Sequence, residues 1–139
     1  MGQIVVGYDG SDCSRNALAE ALRTAGALGD GVTVVFGYAP PGLWGGEIAE
    51  HEEAIEERGQ KVLNEAKHQA EAAGATVELE LVAKKAAEAI VEVADKREAR
   101  MIVVGSYGEA PLKGMIIGST PYKLLHLSRR PVLVVPTGA

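Results

Sequence analysis

The chain is poor in residues that would staple it or bind metal. Its 139 residues include one cysteine, Cys13, and three histidines. A lone thiol excludes an internal disulfide, and His51, His68 and His126 lack metal-ligand spacing, so neither a disulfide framework nor a zinc centre is expected. Cys13 stands near a helix start with no histidine or second cysteine beside it, and reads as a small packed residue rather than a nucleophile. Positive charge is scarce too: 14 Lys and Arg face 19 Asp and Glu, a formal net charge of -5. The diffuse positive potential behind non-specific nucleic-acid affinity is therefore missing, and any bound phosphate must be met mainly by local dipoles. No apolar run approaches the roughly 18 to 20 residues that span a bilayer. The first apolar run, Ile4-Val5-Val6, has no basic leader before it, so the expected location is cytoplasmic, with no membrane or nucleic-acid partner. Two phosphate-binding motifs are also absent. Neither GxxxxGK followed by Ser or Thr nor GxGxxG occurs, which removes the P-loop and the dinucleotide fingerprint.

What is present is the composition of one domain, residues 1–139, around a single core: 47% of the residues are apolar and 24% charged. Ile4-Val5-Val6 is short and β-branched, as in a strand buried on both faces. Ala17, Leu18, Ala21, Leu22, Ala25 and Leu28 then follow helical spacing, with possible caps in Ser11, Asp12 and Ser14 and a stop near Gly29. A second buried strand covers Val32 to Tyr38, and the prolines and glycines of 39–46 make a loop. From about Glu47 to Ala73, Ile48, Ile55, Val62, Ala66, Ala70 and Ala73 give a long helix with one narrow apolar stripe. Its glutamates, Glu47 to Glu57, read as a solvated face.

Thr76 to Val82 alternates, with Val77, Leu79 and Leu81 on one face and Glu78 and Glu80 on the other, which predicts a strand near a sheet edge. A third helix is marked by Ala86, Ala87, Ile90, Val91 and Ala94, and a central fourth strand by Met101 to Val104. Thr120-Pro121 reads as an N-cap with proline at the first helical position, opening a helix through Tyr122 and Leu125. Pro131 to Val135 supplies the last strand. Strands alternating with helices imply an α/β fold, a doubly wound five-stranded parallel sheet of order 3-2-1-4-5 with four main helices on both faces.

In such a sheet, ligands bind beyond the carboxyl ends of the strands where the strand order reverses, here between strands one and four. Those strands lead into Gly7-Tyr8-Asp9-Gly10-Ser11 and Gly105-Ser106-Tyr107-Gly108. The second segment runs on to Gly118-Ser119-Thr120 at a helix N-terminus. Glycines let backbone N–H groups approach an anion, and the helix dipole favours phosphate there. Asp9 reads either as a turn residue or as a ligand contact at the same reversal. Lys113 and Trp44 stand in the cradle segment and the long loop, and the sequence assigns neither a role.

The spacing Gly105-x2-Gly108-x9-Gly118-Ser119 after an apolar fourth strand resembles the ATP-binding signature of universal stress proteins. The likeness spans the chain, including the opening strand ending in Asp-Gly-Ser, the proline-rich loop after strand two and the closing Arg-Pro-Val-Leu-Val-Val-Pro. The resemblance implies ATP, with Mg²⁺ on its phosphates. It implies that Gly105, Gly108, Gly118, Ser119 and Thr120 hold phosphates and ribose, that Gly7 and Asp9 line the adenine and ribose side, and that the main chain at Gly37 meets the adenine edge. The sequence departs from the family pattern at Ala83-Lys84-Lys85, where many relatives carry a glycine turn, and at Pro121 after the Gly-Ser-Thr corner.

The closing strand is apolar on both faces yet falls at the sheet rim, and pairing with the same strand of a second subunit would satisfy it. The resemblance implies the same homodimer through Val132 to Val135. No base, water-orienting group or cationic cluster for phosphoryl transfer can be assigned. The expected activity is therefore nucleotide binding as a switch or sensor in stress adaptation, with at most slow ATP hydrolysis. The alternatives are an AMP or cyclic-AMP binder, a weak ATPase, and a dimeric interaction module that binds no nucleotide.

Overall fold

The computed structural model describes residues 2–39, 48–107 and 117–137, with backbone alone at 48–51. The elements in chain order are β1 (Gln3–Gly7), α1 (Asp12–Leu28), β2 (Gly31–Gly37), α2 (Ile48–Ala72), β3 (Glu78–Val82), α3 (Ala86–Lys96), β4 (Met101–Gly105), α4 (Ser119–Leu127) and β5 (Val132–Val135). The strands form one parallel sheet of order β3-β2-β1-β4-β5. This is the doubly wound α/β topology expected from the sequence.

A central strand buried on both faces needs successive apolar side chains, and β1 has them: Ile4, Val5 and Val6 are all fully buried. Ile4 and Val6 pack with Val34, Val103, Leu18 of α1 and Leu63 of α2 on one side of the sheet. Val5 packs with Val35, Ile102, Val104, Ile90 of α3 and Leu124 of α4 on the other. Fully burying one leucine or isoleucine contributes about 2 kcal/mol, so these two layers supply the main driving force.

Local signals set the ends of α1. Ser11 is its N-cap, with Oγ accepting from the Ser14 N–H at 3.2 Å, and Gly29 ends it in the left-handed region at φ 73°. In α2 the buried stripe is narrower and shifted relative to the sequence reading. Val62, Ala66 and Ala70 are buried as expected and Leu63 joins them, while Ala73 lies beyond the helix end and is exposed.

The alternating strand β3 is at the edge, but its polar face is not simply wet. The Glu80 carboxylate, 16% exposed, accepts from Lys96 at 2.6 Å and Arg97 at 2.7 Å on α3. Burial pushes this carboxyl up, and the two cationic donors outweigh that effect and hold it below the usual range. At the opposite edge, Val132 and Val134 of β5 pack on the α3/α4 layer, whereas Leu133 is 39% exposed.

The start of α4 corrects the capping expectation. Gly118, not Thr120, is the N-cap, Ser119 is the first helical residue and Pro121 the third. The Gly118 N–H donates to the Ser106 carbonyl at 2.6 Å and its own carbonyl accepts from Tyr122, so helical bonding begins two residues early. Proline is tolerated there because first-turn N–H groups have no intrahelical acceptor. The buried face of α4 is correspondingly Pro121 and Leu124, with Tyr122 and Leu125 exposed.

Candidate functional site

A cleft of about 240 Å³ opens where β1 and β4 part at their carboxyl ends. Gly7, Asp9, Gly37, Gly105, Gly118, Ser119 and Thr120 all line it. Of the expected site residues, only Gly108 lies outside the described residues, as do Lys113 and Trp44. The cleft therefore sits at the reversal of strand order, where the connections of β1 and β4 leave on opposite faces.

The three glycines at strand ends have a packing reason as well as a place in the wall. A Cβ on Gly105 would fall 2.5 Å from the Cys13 Cβ and 2.7 Å from the Cys13 backbone carbon; on Gly37 it would fall 2.7 Å from the Ala89 Cβ and 2.9 Å from the Lys84 carbonyl oxygen. On Gly7 it would meet the Ile90 Cδ1 at 2.5 Å. Bare backbone at these points lets the first turns of α1 and α3 come down onto the sheet beside the cleft. The glycines thus bring helix N-termini to the cavity, whatever direct contact they make with a ligand.

Three such termini border the cleft, through Ser14 of α1, Ala86 of α3, and Ser119 and Thr120 of α4. Only α1 has a side-chain cap: neither Lys85 at the start of α3 nor Gly118 at the start of α4 makes a side-chain capping hydrogen bond. The first N–H groups of α3 and α4 lack intrahelical acceptors and carry the positive end of the helix dipole. Such ends receive anionic oxygen well. Among the described residues no lysine or arginine lines the cleft, and Asp9 is its one carboxylate. Charge complementarity to an anion here rests on main-chain dipoles and on the Ser119 and Thr120 hydroxyls.

Asp9 is a turn residue and stands at the cleft. Its Oδ1 accepts from the Ser11 N–H at 3.0 Å, closing an Asx turn, and the residue also lines the cleft. Gly10 follows at φ 85°, a conformation that glycine adopts freely. Beneath this turn Tyr8 is buried; desolvation pushes its phenol up, partly countered by the neighbouring Arg15 guanidinium.

The cleft also has apolar lining, from Val35, Phe36, Ala86, Ile90 and Val104. The sequence reading missed Ala86, Ile90 and Ser14 as wall residues. For Ala86 and Ile90 the signal was positional: in the order 3-2-1-4-5 the helix between β3 and β4 must cross β2 and β1, which puts its first turn against Gly37. Cys13 is a small packed residue, as expected, and is buried with its Sγ 3.6 Å from the Ser106 Oγ. No group of three or more His, Cys, Asp or Glu side chains that could hold a metal ion exists among the described residues.

A parallel doubly wound sheet with a mixed polar and apolar cleft at its reversal point defines the α/β class that binds ligands beyond its strand ends. Comparison narrows the class to a family. The model of the universal stress protein family matches residues 1–136, and the chain belongs to that family. It is 31% identical over 141 residues to a universal stress protein of Methanocaldococcus jannaschii, covering 96% of this chain and 81% of that one. Among solved structures it resembles a universal stress protein in complex with cAMP, at 31% identity and TM-score 0.77, covering 99% of this chain and 98% of that chain. It also resembles the Archaeoglobus fulgidus universal stress protein in complex with dAMP, at 28% identity and TM-score 0.74, covering 97% of this chain and 98% of that chain. Among the described residues, no helix is long and apolar enough to cross a membrane.

Proposed function

We propose that this protein is a cytoplasmic binder of ATP that acts as a nucleotide-dependent switch or sensor in stress adaptation. The observation that carries the reading is the convergence of two helix N-termini without side-chain caps on a cleft with apolar lining. That combination suits a planar base on the apolar lining and phosphate oxygens at the helix ends. In this reading the N–H groups at Ser119 and Thr120 receive the phosphates, and Gly105, Gly108 and Gly118 carry no side chain to block their approach. Asp9 and Gly7 meet the ribose, and the base lies along Val35 to Gly37. Mg²⁺ would be carried by the phosphates, because the described wall offers only one carboxylate. The chain acts as a homodimer through Val132 to Val135 of β5, whose outer backbone edge has no partner strand among the described residues.

A second reading is favoured by a specific observation. With no cationic side chain in the described wall, a ligand of low charge is easier to neutralise than a triphosphate, and two similar structures are described as complexes with cAMP and dAMP. Mass analysis of nucleotide that co-purifies with the protein, followed by calorimetric titration with ATP, ADP, AMP and cyclic AMP, separates the two. Retained ATP and tightest binding of ATP support the first reading, and preference for a monophosphate replaces it with the second. Failure of all four to bind leaves the interaction module.

A further inference from the structure

The side chain of Arg15 does not line the cleft, yet it is bonded to the neighbour of Asp9, which does. From the first turn of α1 its guanidinium donates to the Gly10 carbonyl, on one side of Asp9, and its charge acts on the Tyr8 phenol, on the other. A further donor meets the Asp12 carboxylate. The backbone of Arg15 is held from a different helix: its carbonyl accepts from Gln69 Nε2 of α2 at 2.9 Å. Asp9 itself is tied within the turn only by the Ser11 N–H, which occupies Oδ1. Gly10, at φ 85°, is the position where the turn has most freedom to swing.

A planar fork with several donors can hold two acceptors at once in fixed relation, which a lysine ammonium on a flexible stem does poorly. We infer that Arg15 is a positioning residue for the nucleotide site, clasping the Gly10 carbonyl to the Asp12 carboxylate so that the Asp9 carboxylate is presented to the ligand at a fixed height and angle. The inference rests on the nucleotide reading above and deepens it: the selectivity of the ribose side is set from outside the cleft, through the α1/α2 interface. Gln69 extends the clasp to α2, so that both helices on this face of the sheet hold the turn.

The test is a double-mutant cycle read by calorimetry with ATP and with AMP. Arg15→Met keeps the aliphatic stem and removes the fork; it should weaken binding of both probes about tenfold, on the scale of one lost charge-assisted hydrogen bond. Arg15→Lys should recover only part of that loss. In an Asp9→Ala background the same Arg15→Met change should cost less than about twofold, because contacts that act through one another are not additive. Wild-type affinity in Arg15→Met, or a full tenfold loss on top of Asp9→Ala, overturns the inference. A second readout needs no ligand and separates this idea from the nucleotide reading. In Arg15→Met the amide resonances of Gly10 and Ser11 should move while those of β1 stay in place. Unmoved resonances in the turn dispose of the clasp even if nucleotide binds; moved resonances in a protein that binds neither ATP nor AMP sustain the clasp and remove its ligand.

Discussion

The two ends of the same sheet are closed by different chemistry. At the amino end, side chains close the structure: the Asp30 carboxylate, 1% exposed, accepts from the Gly2 N–H at 3.0 Å and from Arg100 Nε at 2.6 Å, joining the starts of β1, β2 and β4. Arg130 extends the closure towards β5 by donating to the Ala99 carbonyl at 2.8 Å. At the carboxyl end the described cleft wall has no cation, and its polar character comes from the first turns of α3 and α4 and a few hydroxyls. One end satisfies its charges internally; the other leaves donors to be satisfied by something else. Substitutions at the amino end should therefore change stability and spare ligand affinity, and those at the carboxyl end should do the reverse wherever the backbone is not also a packing surface.

The sharpest test of that division is Gly118→Val. Gly118 has φ -74° and ψ 172°, an extended conformation open to any residue, so the folded state should lose no more than about 1 kcal/mol, the cost of an apolar N-cap. A branched side chain at the mouth of α4 would stand where an anion must approach, and ATP affinity should fall about a hundredfold, or roughly 2.7 kcal/mol. Urea unfolding and calorimetric titration measure the two quantities. Equal losses in both would erase the division. Gly105→Ala probes the exception. Its Cβ meets Cys13 backbone at 2.7 and 2.9 Å, which cannot swing aside, so stability should drop by about 2 kcal/mol. Gly7→Ala meets side chains instead of backbone, the Ile90 Cδ1 at 2.5 Å and the Val104 Cγ1 at 3.0 Å, and should cost less than Gly105→Ala in the same urea experiment.

The contrast also explains what could be read without coordinates. Strand order was legible because burial on both faces marks Ile4 to Val6 and Met101 to Val104 as central, and alternation marks Glu78 to Val82 as an edge. The reversal point follows from that order, and it gathers residues as far apart as Gly7 and Thr120. The start of α4 was not legible. Thr-Pro has the local form of an N-cap, and only the long-range bond from the Gly118 N–H to the Ser106 carbonyl moves the helix start to Gly118. The fate of the glutamates on β3 was equally hidden, since Lys96 and Arg97 reach Glu80 across 16 and 17 residues of sequence. The reason for Gly105 was hidden too, being the backbone of Cys13 in another element.

At the amino end, acid is the natural probe. Hydrogen bonding and charge from Arg100 hold the Asp30 carboxyl below the usual carboxylate range. A group whose folded pKa is depressed contributes stability that is present above its unfolded value, near 4, and is lost as pH falls through the folded value. Asp30→Asn should therefore lower stability at neutral pH and flatten its decline below about pH 4. ATP affinity at pH 7 should stay within about twofold of wild type, since additivity holds for distant sites. A steep acid limb persisting in the variant would mean that other carboxylates carry the transition.

The smallest expected effect lies in how α3 ends. Gly29 closes α1 at φ 73° and Gly74 follows α2 at φ 76°, whereas the equivalent position after α3 is Glu98 at φ 50°. The surrounding bonds are those of a left-handed cap: the Glu98 N–H donates to Asp95 at 3.2 Å and the Ala99 N–H to Ala94 at 2.9 Å. An L side chain in that region costs about 1 to 2 kcal/mol, and glycine would relieve it at some cost in unfolded-state entropy. Glu98 is exposed, and its side chain has no ion pair or hydrogen bond among the described residues. Glu98→Gly should thus stabilise the protein by about 0.5 to 1 kcal/mol, seen as a higher urea midpoint with an unchanged slope. Because the residue lies at the amino end of the sheet, just before β4, the gain should come with no change in ATP affinity. A gain in stability accompanied by weaker binding would show that the two ends communicate through α3, whose first turn borders the cleft.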